Sequence, residues 1–251
     1  MIMKQSDFNL IGCVALVTGA SKGIGYHLAL ELAARGAHII ALARTINSLA
    51  VLEDKIREKG SSATLVPLDL RHMEAIDTLA VSINERWKKL DIMVANAGIL
   101  GTLSPIAYVE NEIFEEVFRV NLTSQYRLMK AFEPLLRKSN AGRAILLSSS
   151  VAHLARASWG PYAASKAALE IIARCWAEEL KQTRIKVNCV NPGATRTAMR
   201  AQAMPDEDPQ TLPSPQEVAA KIAPLLSPNL KETGKLFDVR TNRFVNYCMP
   251  D

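Results

Sequence analysis

The chain has 251 residues, of which 49% are apolar and 22% charged, and its formal net charge is +5. Single α/β domains run to roughly 250 residues, and this composition excludes an intrinsically disordered chain. No apolar run approaches the roughly 18 residues that a membrane-spanning helix needs, and the N-terminal residues are too polar for a signal peptide. A cytoplasmic protein is predicted.

The positive charge is spread along the chain, with short pairs such as Lys88-Lys89 and Arg137-Lys138 but no basic block. A nucleic-acid partner would require Lys and Arg clustered on one face, so none is predicted. The cysteines and histidines share no metal-ligand spacing. They are Cys13, Cys175, Cys189, Cys248, His27, His38, His72 and His153. We predict no metal site, and we expect buried free thiols of a reducing compartment.

Short apolar runs alternate along the chain with longer segments of helical spacing. The first run, residues 14–18, ends in glycines, and a helical pattern follows over residues 24–35 until Gly36 ends it. Further strands are predicted at residues 37–43, 63–68, 91–95, 143–147 and 184–190. Further helices are predicted at residues 46–59, 73–88, 111–136 and 162–181.

Near-continuous apolar strands indicate a parallel sheet that helices cover on both faces. The predicted fold is α/β, a doubly wound parallel sheet of Rossmann-like type with three layers (α/β/α). Residues 1–251 are predicted to form one domain, with its ligands beyond the carboxyl ends of the strands. Residues 194–215, with four prolines, interrupt the alternation. A connection of this length is typical of a functional lid, which we favour here, or of a mobile surface loop.

A glycine-rich turn joins the first strand to the first helix, with the sequence Thr18-Gly19-Ala20-Ser21-Lys22-Gly23-Ile24-Gly25. Such a turn lets the backbone approach a pyrophosphate, whose charge the helix N-terminus stabilises. Glycines also serve tight turns for steric reasons alone. The position between a buried strand and an amphipathic helix favours a dinucleotide site, although the spacing G-x-x-x-G-x-G is a variant of the usual fingerprint.

Arg44 follows the second strand, where NAD-selective domains carry an acidic residue for the ribose 2′-hydroxyl. Arg44 can form a bidentate pair with a 2′-phosphate, and Lys22 can add a second cation. A carboxylate at this position would repel that phosphate, so its absence matters as much as the arginine. The predicted cofactor is NADP(H); the alternative is that both residues are ordinary solvated cations.

Tyr162 and Lys166 lie four residues apart in a predicted helix and therefore share one face. The phenol of a free tyrosine titrates near pH ~10, and a nearby ammonium lowers its pKa towards the range of a useful general acid or base. Ser149 follows the strand at residues 143–147, where its hydroxyl can donate to a substrate carbonyl oxygen. Each signal is common by itself, since this spacing is frequent on helix surfaces and serines often form turns.

Together these motifs resemble one family, the small, single-domain short-chain dehydrogenases/reductases, over about residues 12–235 and in the family's order. The turn from Thr18 to Gly25 looks like the family's glycine loop. Further segments similar to its cofactor motifs are Asp69 and Leu70, then Asn96, Ala97 and Gly98, and finally Pro192, Gly193, Thr195 and Thr197. Residues 157–162 and 191–200 are similar to a bacterial subgroup of oxidoreductases whose substrates are unassigned.

The resemblance implies a role for each residue of a catalytic tetrad. Tyr162 would exchange the proton with the substrate oxygen, while Lys166 would bind the nicotinamide ribose and lower the pKa of the Tyr162 phenol. Ser149 would orient and polarise the carbonyl. Asn121 would hold a water that links Lys166 to bulk solvent as a proton relay.

Three consecutive serines leave a choice for the catalytic one. The interval to Tyr162 and the count from Gly142 both select Ser149, whereas the local sequence Ser-Ser-Val-Ala points to Ser150. We select Ser149. His153, four residues further on, is assigned a structural role in the loop.

The sequence thus predicts an NADP(H)-dependent carbonyl reductase or alcohol dehydrogenase acting on a small molecule. Its pocket is expected between residues 195–215, the residues after Ser149 and those after Gly98. Apolar side chains expected there are Leu100, Trp159, Met199 and Met204, and the cations expected to meet an anionic group are Arg196 or Arg200. A 3-oxoacyl thioester, a ketosteroid-like ring and a quinone all remain open as substrates.

Two further expectations concern turnover and assembly. The alternative function is a catalytically idle NADP(H)-sensing protein, although such proteins usually lose a catalytic residue and all four are present here. The C-terminal sequence 237–240 departs from the V-D-G-G-like ending common in the family, which in many members helps to build a tetramer. A homo-oligomer is expected, as a dimer through the helices at residues 111–136 and 161–181 sooner than as a tetramer.

Overall fold

The computed structural model describes residues 8–247, and Cys248, predicted to be a free thiol, lies outside them. Within those residues, eight strands form one sheet. They are β1 (Val14–Thr18), β2 (His38–Ala43), β3 (Ala63–Pro67), β4 (Ile92–Ala95), β5 (Arg143–Leu147), β6 (Lys186–Asn191), β7 (Leu236–Asp238) and β8 (Arg243–Val245). The strand order is β3-β2-β1-β4-β5-β6-β7-β8, and every neighbouring pair is parallel except β7 and β8.

Helices cover both faces of the sheet. They are α1 (Gly23–Ala33), α2 (Ile46–Glu58), α3 (Met73–Trp87), α4 (Asn111–Phe118), α5 (Ser124–Leu136), α6 (Gly160–Glu179), α7 (Ala198–Ala203) and α8 (Pro215–Ile222). Side chains alternate along β1, so that Ala15 and Val17 pack in the hydrophobic layer with α1, α2 and α8. Val14 and Leu16 pack in the opposite layer with α3, α5 and α6. The predicted doubly wound α/β fold is confirmed.

The strand order creates a crevice between β1 and β4. The chain runs outwards from β1 to β3 and then returns to place β4 on the other side of β1, and ligands of such sheets bind where the order reverses. Thr18 spans this point, because its hydroxyl donates to the Val94 carbonyl (3.2 Å) and accepts from the amide of Asn96 (3.0 Å). The Asn96 side chain donates in turn to the Thr18 carbonyl at 2.9 Å. These bonds fix the carboxyl ends of both strands.

The helix predicted over residues 111–136 is interrupted. A π-helical turn, Arg119–Thr123, separates α4 from α5. Asn121 lies in this turn, and its side chain bonds the backbone of Ile99 on the neighbouring segment. Periodicity does not reveal the break, because one π turn shifts the apolar pattern by a single residue, and such turns are frequent at functional sites.

The segment at residues 194–215 is more ordered than a loop. Thr197 caps α7 by accepting a hydrogen bond from the Arg200 amide, and Arg200 forms a double hydrogen bond with Glu207. Ser214 then starts α8 with a reciprocal capping box to Glu217. This capping box follows a sequence pattern, Ser followed three residues later by Glu.

The strands β7 and β8 were not predicted. Each has three residues, which is too short for an alternating pattern to reveal.

The thiols differ in their environments. Cys189 is buried, Cys13 is partly buried, and Cys175 is exposed on α6, so the prediction of burial is wrong for Cys175. Across residues 8–247, no group of three His, Cys, Asp or Glu side chains is arranged to hold a metal ion. In the same range no helix combines the length and apolarity that crossing a membrane requires.

Candidate active site

A cleft of about 400 Å³ opens beyond the carboxyl ends of the central strands. Most of the predicted site residues line it: Gly19, Ser21, Lys22, Gly23, Ile24, Arg44, Asp69, Leu70, Asn96, Ala97, Gly98, Tyr162, Lys166, Pro192 and Thr197. Five predicted catalytic or cofactor-binding residues lie outside the lining: Gly25, Asn121, Ser149, Gly193 and Thr195. Four residues expected in the substrate pocket also lie outside it: Leu100, Trp159, Met204 and Arg200. The sequence analysis missed several lining residues: Leu42, Leu68, Arg71, Ile99, Glu116, Val120, Leu147 and Ser148.

The glycine turn forms the floor of the cleft. Gly19 has a φ of +65°, a conformation that favours glycine. A Cβ at Gly25 would lie 2.5 Å from the Gly19 carbonyl oxygen and against the Asn96 amide, so no side chain fits there. Gly25 therefore supports the turn from behind, and α1 begins at Gly23, directly beside the cleft. This cradle fits the pyrophosphate of a dinucleotide.

Lys22, Arg44 and Arg71 are three cationic residues that line the cleft. Lys22 and Arg44 line it, and neither has an ion-pair partner within residues 8–247. Arg71 forms an ion pair with Asp69 (2.6 Å) and reaches Glu116 (3.1 Å). The hydrogen bonds from Arg71 lower the pKa of the Asp69 carboxyl, and Arg44 adds to that effect. Arg71 directly follows Asp69 and Leu70 in the sequence. Its place next to a predicted cofactor motif could therefore have identified it as a lining residue.

Tyr162 lines the cleft and is 8% exposed. Burial raises the pKa of its phenol to about 12, and a hydrogen bond with Ser149 opposes that rise. Ser149 is therefore the serine that reaches Tyr162, while Ser150 starts the short 3₁₀ turn Ser150–Ala152. Ser149 acts beside the phenol although its surface does not line the cleft.

Lys166 is buried one turn along α6 from Tyr162. Its Nζ donates to the Leu147 carbonyl at 2.6 Å and lies 5.9 Å from the centre of the Tyr162 ring. Burial lowers the pKa of the Lys166 ammonium to about 8. The expected lowering of the Tyr162 pKa by Lys166 is not met here, because desolvation of the phenol dominates and the ammonium points at Leu147.

Asn121 is fully buried, and its side chain is occupied on both sides. Its amide donates to the Ile99 carbonyl (2.8 Å) and the Ser165 hydroxyl (3.1 Å), while its oxygen accepts from the Ile99 amide (2.8 Å). A Cβ at Gly98 would lie 3.1 Å from that oxygen. Asn121 thus positions the segment after β4 against α6.

Thr195 and Thr197, predicted as a pair, face different surroundings. The Thr195 hydroxyl is buried and lies 3.4 Å from the Gly193 carbonyl oxygen, away from the cleft. Thr197 lines the cleft opposite the glycine turn, with its methyl 3.6 Å from the position of a Cβ on Gly23. Residues two apart in an extended segment point in the same direction only when the backbone stays regular, and Gly193 and the helix cap at Thr197 break that regularity.

An apolar cluster surrounds Tyr162. Leu100, Trp159, Met199 and Met204 all belong to it or pack against it. Of the two arginines expected near an anionic group, Arg200 is neutralised by Glu207. Arg196 lines the cleft and donates to the neutral side chain of Gln210 at 2.7 Å.

Comparison with known proteins agrees with this geometry. The family model for short chain dehydrogenase matches residues 13–208. The oxidoreductase YciK of Escherichia coli K12 is 40% identical over 234 residues, which cover 92% of each chain.

Two solved structures are similar over nearly their whole length. A short chain dehydrogenase from Shigella flexneri 2a, complexed with NADP, is 38% identical with a TM-score of 0.87, covering 94% of this chain and 100% of that one. A short chain dehydrogenase from Escherichia coli CFT073, complexed with NADPH, is 39% identical with a TM-score of 0.89, covering 95% and 100%. With a glycine cradle, a buried tyrosine–lysine pair and relatives of this similarity, the chain belongs to the short-chain dehydrogenase family of oxidoreductases.

Proposed function

We propose that this protein is an NADP(H)-dependent oxidoreductase that transfers a hydride between the nicotinamide and a carbonyl or secondary alcohol carbon, with Tyr162 as the general acid/base. One observation carries the proposal. Tyr162, whose phenol pKa is influenced by Ser149 and whose ring lies 5.9 Å from the Lys166 Nζ, lines the same cleft as Lys22 and Arg44.

The preference for NADP(H) is supported by charge. Lys22 and Arg44 are free of carboxylate partners within residues 8–247, so both can pair with a 2′-phosphate. The similar structures from Shigella flexneri and Escherichia coli were solved with NADP and NADPH. Lys22 and Arg44 line the same cleft, which favours a shared phosphate ligand over the alternative that both are ordinary solvated cations.

In the proposed reduction, each catalytic residue of the chain has a separate role. A bound nicotinamide supplies the hydride, and the protein supplies alignment and electrostatics. Ser149 donates a hydrogen bond to the carbonyl oxygen, Tyr162 delivers its phenol proton to that oxygen, and Lys166 would bind the nicotinamide ribose. In the reverse direction Tyr162 accepts the alcohol proton. Asn121, in its π turn, fixes the segment after β4, which lies beside Lys166. We propose that the proton of the Tyr162 phenol is restored from solvent by a relay through Lys166.

The substrate side of the cleft is apolar, with one cation at its edge. The cluster around Tyr162 suits a largely apolar carbonyl compound, and Arg196 remains available for an anionic group. We propose that residues 194–215 act as the lid, since Thr197, Met199 and Pro215 line the cleft. Limited proteolysis tests this: NADPH with a substrate or dead-end inhibitor is expected to protect the segment, and unchanged cleavage there would refute the lid.

The experiment that tests the function is a screen that follows NADPH absorbance with a panel of carbonyl compounds. The panel includes activated dicarbonyls, 3-oxoacyl thioesters, cyclic ketones of steroid type and quinones. Turnover of at least one class, absent from a Tyr162→Phe control, is expected. NADPH binding without oxidation of any compound would instead support the sensing alternative, which the intact set of Asn121, Ser149, Tyr162 and Lys166 disfavours.

We propose in addition that the protein is a dimer through α5 and α6. Tyr126 on α5 and Ile171 on α6 are each 49% exposed, and large apolar side chains on adjacent helices favour burial in an interface. Ile171→Asp is expected to halve the mass measured by sedimentation. The matched control is Val51→Asp on α2, which should keep the parent mass. A monomeric parent, or a dimeric Ile171→Asp protein, would refute this interface.

A further inference from the structure

A buried carboxylate lies beneath the catalytic serine and has no role in the chemistry described above. Glu170 on α6 is 3% exposed. The Ser148 hydroxyl donates to its Oε1, and the Nε2 of His153 lies 2.8 Å from its Oε2, an ion-pair distance without hydrogen-bond geometry, so that Oε2 accepts no hydrogen bond from the residues that the structure describes. Burying a carboxylate is expensive unless hydrogen bonds compensate its lost hydration. A carboxylate held in this way is therefore a reason to look for a function.

The position of Glu170 continues a series on one face of α6. Tyr162, Lys166 and Glu170 succeed one another at four-residue spacing, which places them on one side of the helix. Tyr162 meets Ser149, Lys166 meets the Leu147 carbonyl and Glu170 meets Ser148. Each member of the series thus contacts one of the consecutive residues 147–149, where β5 ends and the catalytic loop begins.

The two oxygens of Glu170 bracket the catalytic serine along the chain. Ser148 precedes Ser149 directly, and His153 follows it by four residues. His153 is exposed over 45% of its side chain, so it closes the site on the solvent side while Ser148 lies inside. One carboxylate therefore holds both ends of the loop that carries Ser149.

The carboxylate of Glu170 also acts on three neighbouring groups, Cys189, Tyr247 and Lys166, on each of whose pKa values its charge has a raising effect. Burial raises the pKa of the Cys189 thiol on β6 to about 12, with Glu170 adding to the effect. The pKa of the Tyr247 phenol is likewise raised, so both groups stay protonated at neutral pH. Arg174 stacks on the Tyr247 ring at 4.1 Å, and Lys166 is directed at Leu147. The contacts from Ser148 and His153 are thus the ones that tie Glu170 to the catalytic loop.

We propose that Glu170 is a positioning residue that sets the reach of Ser149 towards Tyr162 by holding Ser148 and His153 with its two oxygens. This inference rests on the proposed function, in which Ser149 orients the substrate carbonyl. Without the carboxylate, the loop between Ser148 and His153 loses its common anchor, and a misplacement of about 1 Å costs up to roughly 10²-fold in rate. The glycine turn, Lys22 and Arg44 belong to other elements than α6, so the cofactor contacts proposed for them are expected to be unaffected.

The test combines Glu170→Gln with Ser149→Ala. Glu170→Gln, which keeps the shape but removes the charge, is expected to lower kcat about 10-fold and to leave NADPH affinity within about 2-fold. In the Ser149→Ala background the same change is expected to have no further effect, because it acts through Ser149. An equal loss in both backgrounds, or no loss in the parent, would overturn the proposal.

A spectroscopic arm makes the result independent of turnover. In protein with isotope-labelled tyrosine, the NMR signal of the Tyr162 phenol carbon reports its hydrogen bond with Ser149 and is assigned by its absence in Tyr162→Phe. Glu170→Gln and Ser149→Ala are expected to move this signal in the same direction, with nothing added in the double variant. If no substrate is ever turned over, the proposed function fails while this signal still decides the positioning role.

Two controls address folding. Glu178→Gln on the same helix changes an exposed carboxylate paired with Lys181 and is expected to leave kcat, affinity and the NMR signal as in the parent. Should Glu170→Gln prove unstable, Ser148→Ala breaks the same contact from the other partner and is expected to give the same coupling to Ser149. Simple additivity of Ser148→Ala and Ser149→Ala would contradict the proposal.

Discussion

Tyr162→Phe is expected to lower kcat at least ~10²-fold, the scale of general acid–base catalysis by a positioned side chain. The substitution removes one oxygen atom and leaves the ring in its apolar cluster, so NADPH affinity and the melting temperature should change little. The phenol, which we propose as the proton donor, lies beside Ser149 and lines the cleft. Burial, which raises its pKa to about 12, keeps it protonated at neutral pH and ready to donate in the reductive direction.

Steady-state kinetics with NADPH and the best carbonyl substrate, together with a binding titration, measure both quantities. The matched control is Tyr126→Phe on α5, a half-exposed tyrosine outside the cleft, which should keep the parent rate. A Tyr162→Phe protein with activity within a factor of a few of the parent would remove Tyr162 from its proposed role. A parallel loss of rate and of NADPH affinity would instead indicate a disturbed site.

Arg44→Asp is expected to reverse the cofactor preference. A charge-assisted hydrogen bond contributes about 1.5–3 kcal/mol, so losing the contact with a 2′-phosphate weakens NADPH binding about 10- to 10²-fold. The introduced carboxylate would also repel that phosphate, while it offers the ribose 2′-hydroxyl of NADH an acceptor. NADH affinity is therefore expected to stay unchanged or improve.

Fluorescence titration with each cofactor measures the change in selectivity. Lys59→Asp provides the control, because this exposed cation caps the far end of α2 from Arg44 and lies outside the cleft. It alters the net charge by the same amount and should leave both affinities unchanged. Equal weakening by the two substitutions would mean that the general field of the protein, and not a contact at Arg44, favours NADPH.

Local patterns in the sequence were sufficient to predict six of the eight strands that the sheet has over residues 8–247. The apolar runs at residues 14–18 and 143–147 coincide with β1 and β5, and the positions of Gly36 and Gly60 after α1 and α2 agree with positive φ angles there. The glycine turn was readable for the same reason, since its steric requirement depends on a few consecutive residues. These signals act within one element and need no partner from elsewhere in the chain.

Contacts between distant segments were not readable in this way. In the π turn, the Asn121 side chain bonds the backbone of Ile99, which is 22 residues earlier in the chain. The ion pair of Arg71 with Glu116 joins the segment after β3 to α4. The raised pKa of Tyr162 likewise follows from burial by neighbours that periodicity does not identify. Thr195 and Thr197 are two residues apart, yet only one lines the cleft, because local backbone geometry decides their directions.

The amino-acid order alone indicated the layers of this molecule, its glycine cradle and the candidate tyrosine–lysine pair, Tyr162 and Lys166. It did so because hydrophobic period, glycine sterics and four-residue helix spacing are properties of neighbouring residues. The folded chain alone decided where the Lys166 ammonium points and that the buried Glu170 carboxylate contacts both Ser148 and His153. Those outcomes depend on how β5 and α6 pack together, and packing fixes distances and hydration that no local pattern encodes.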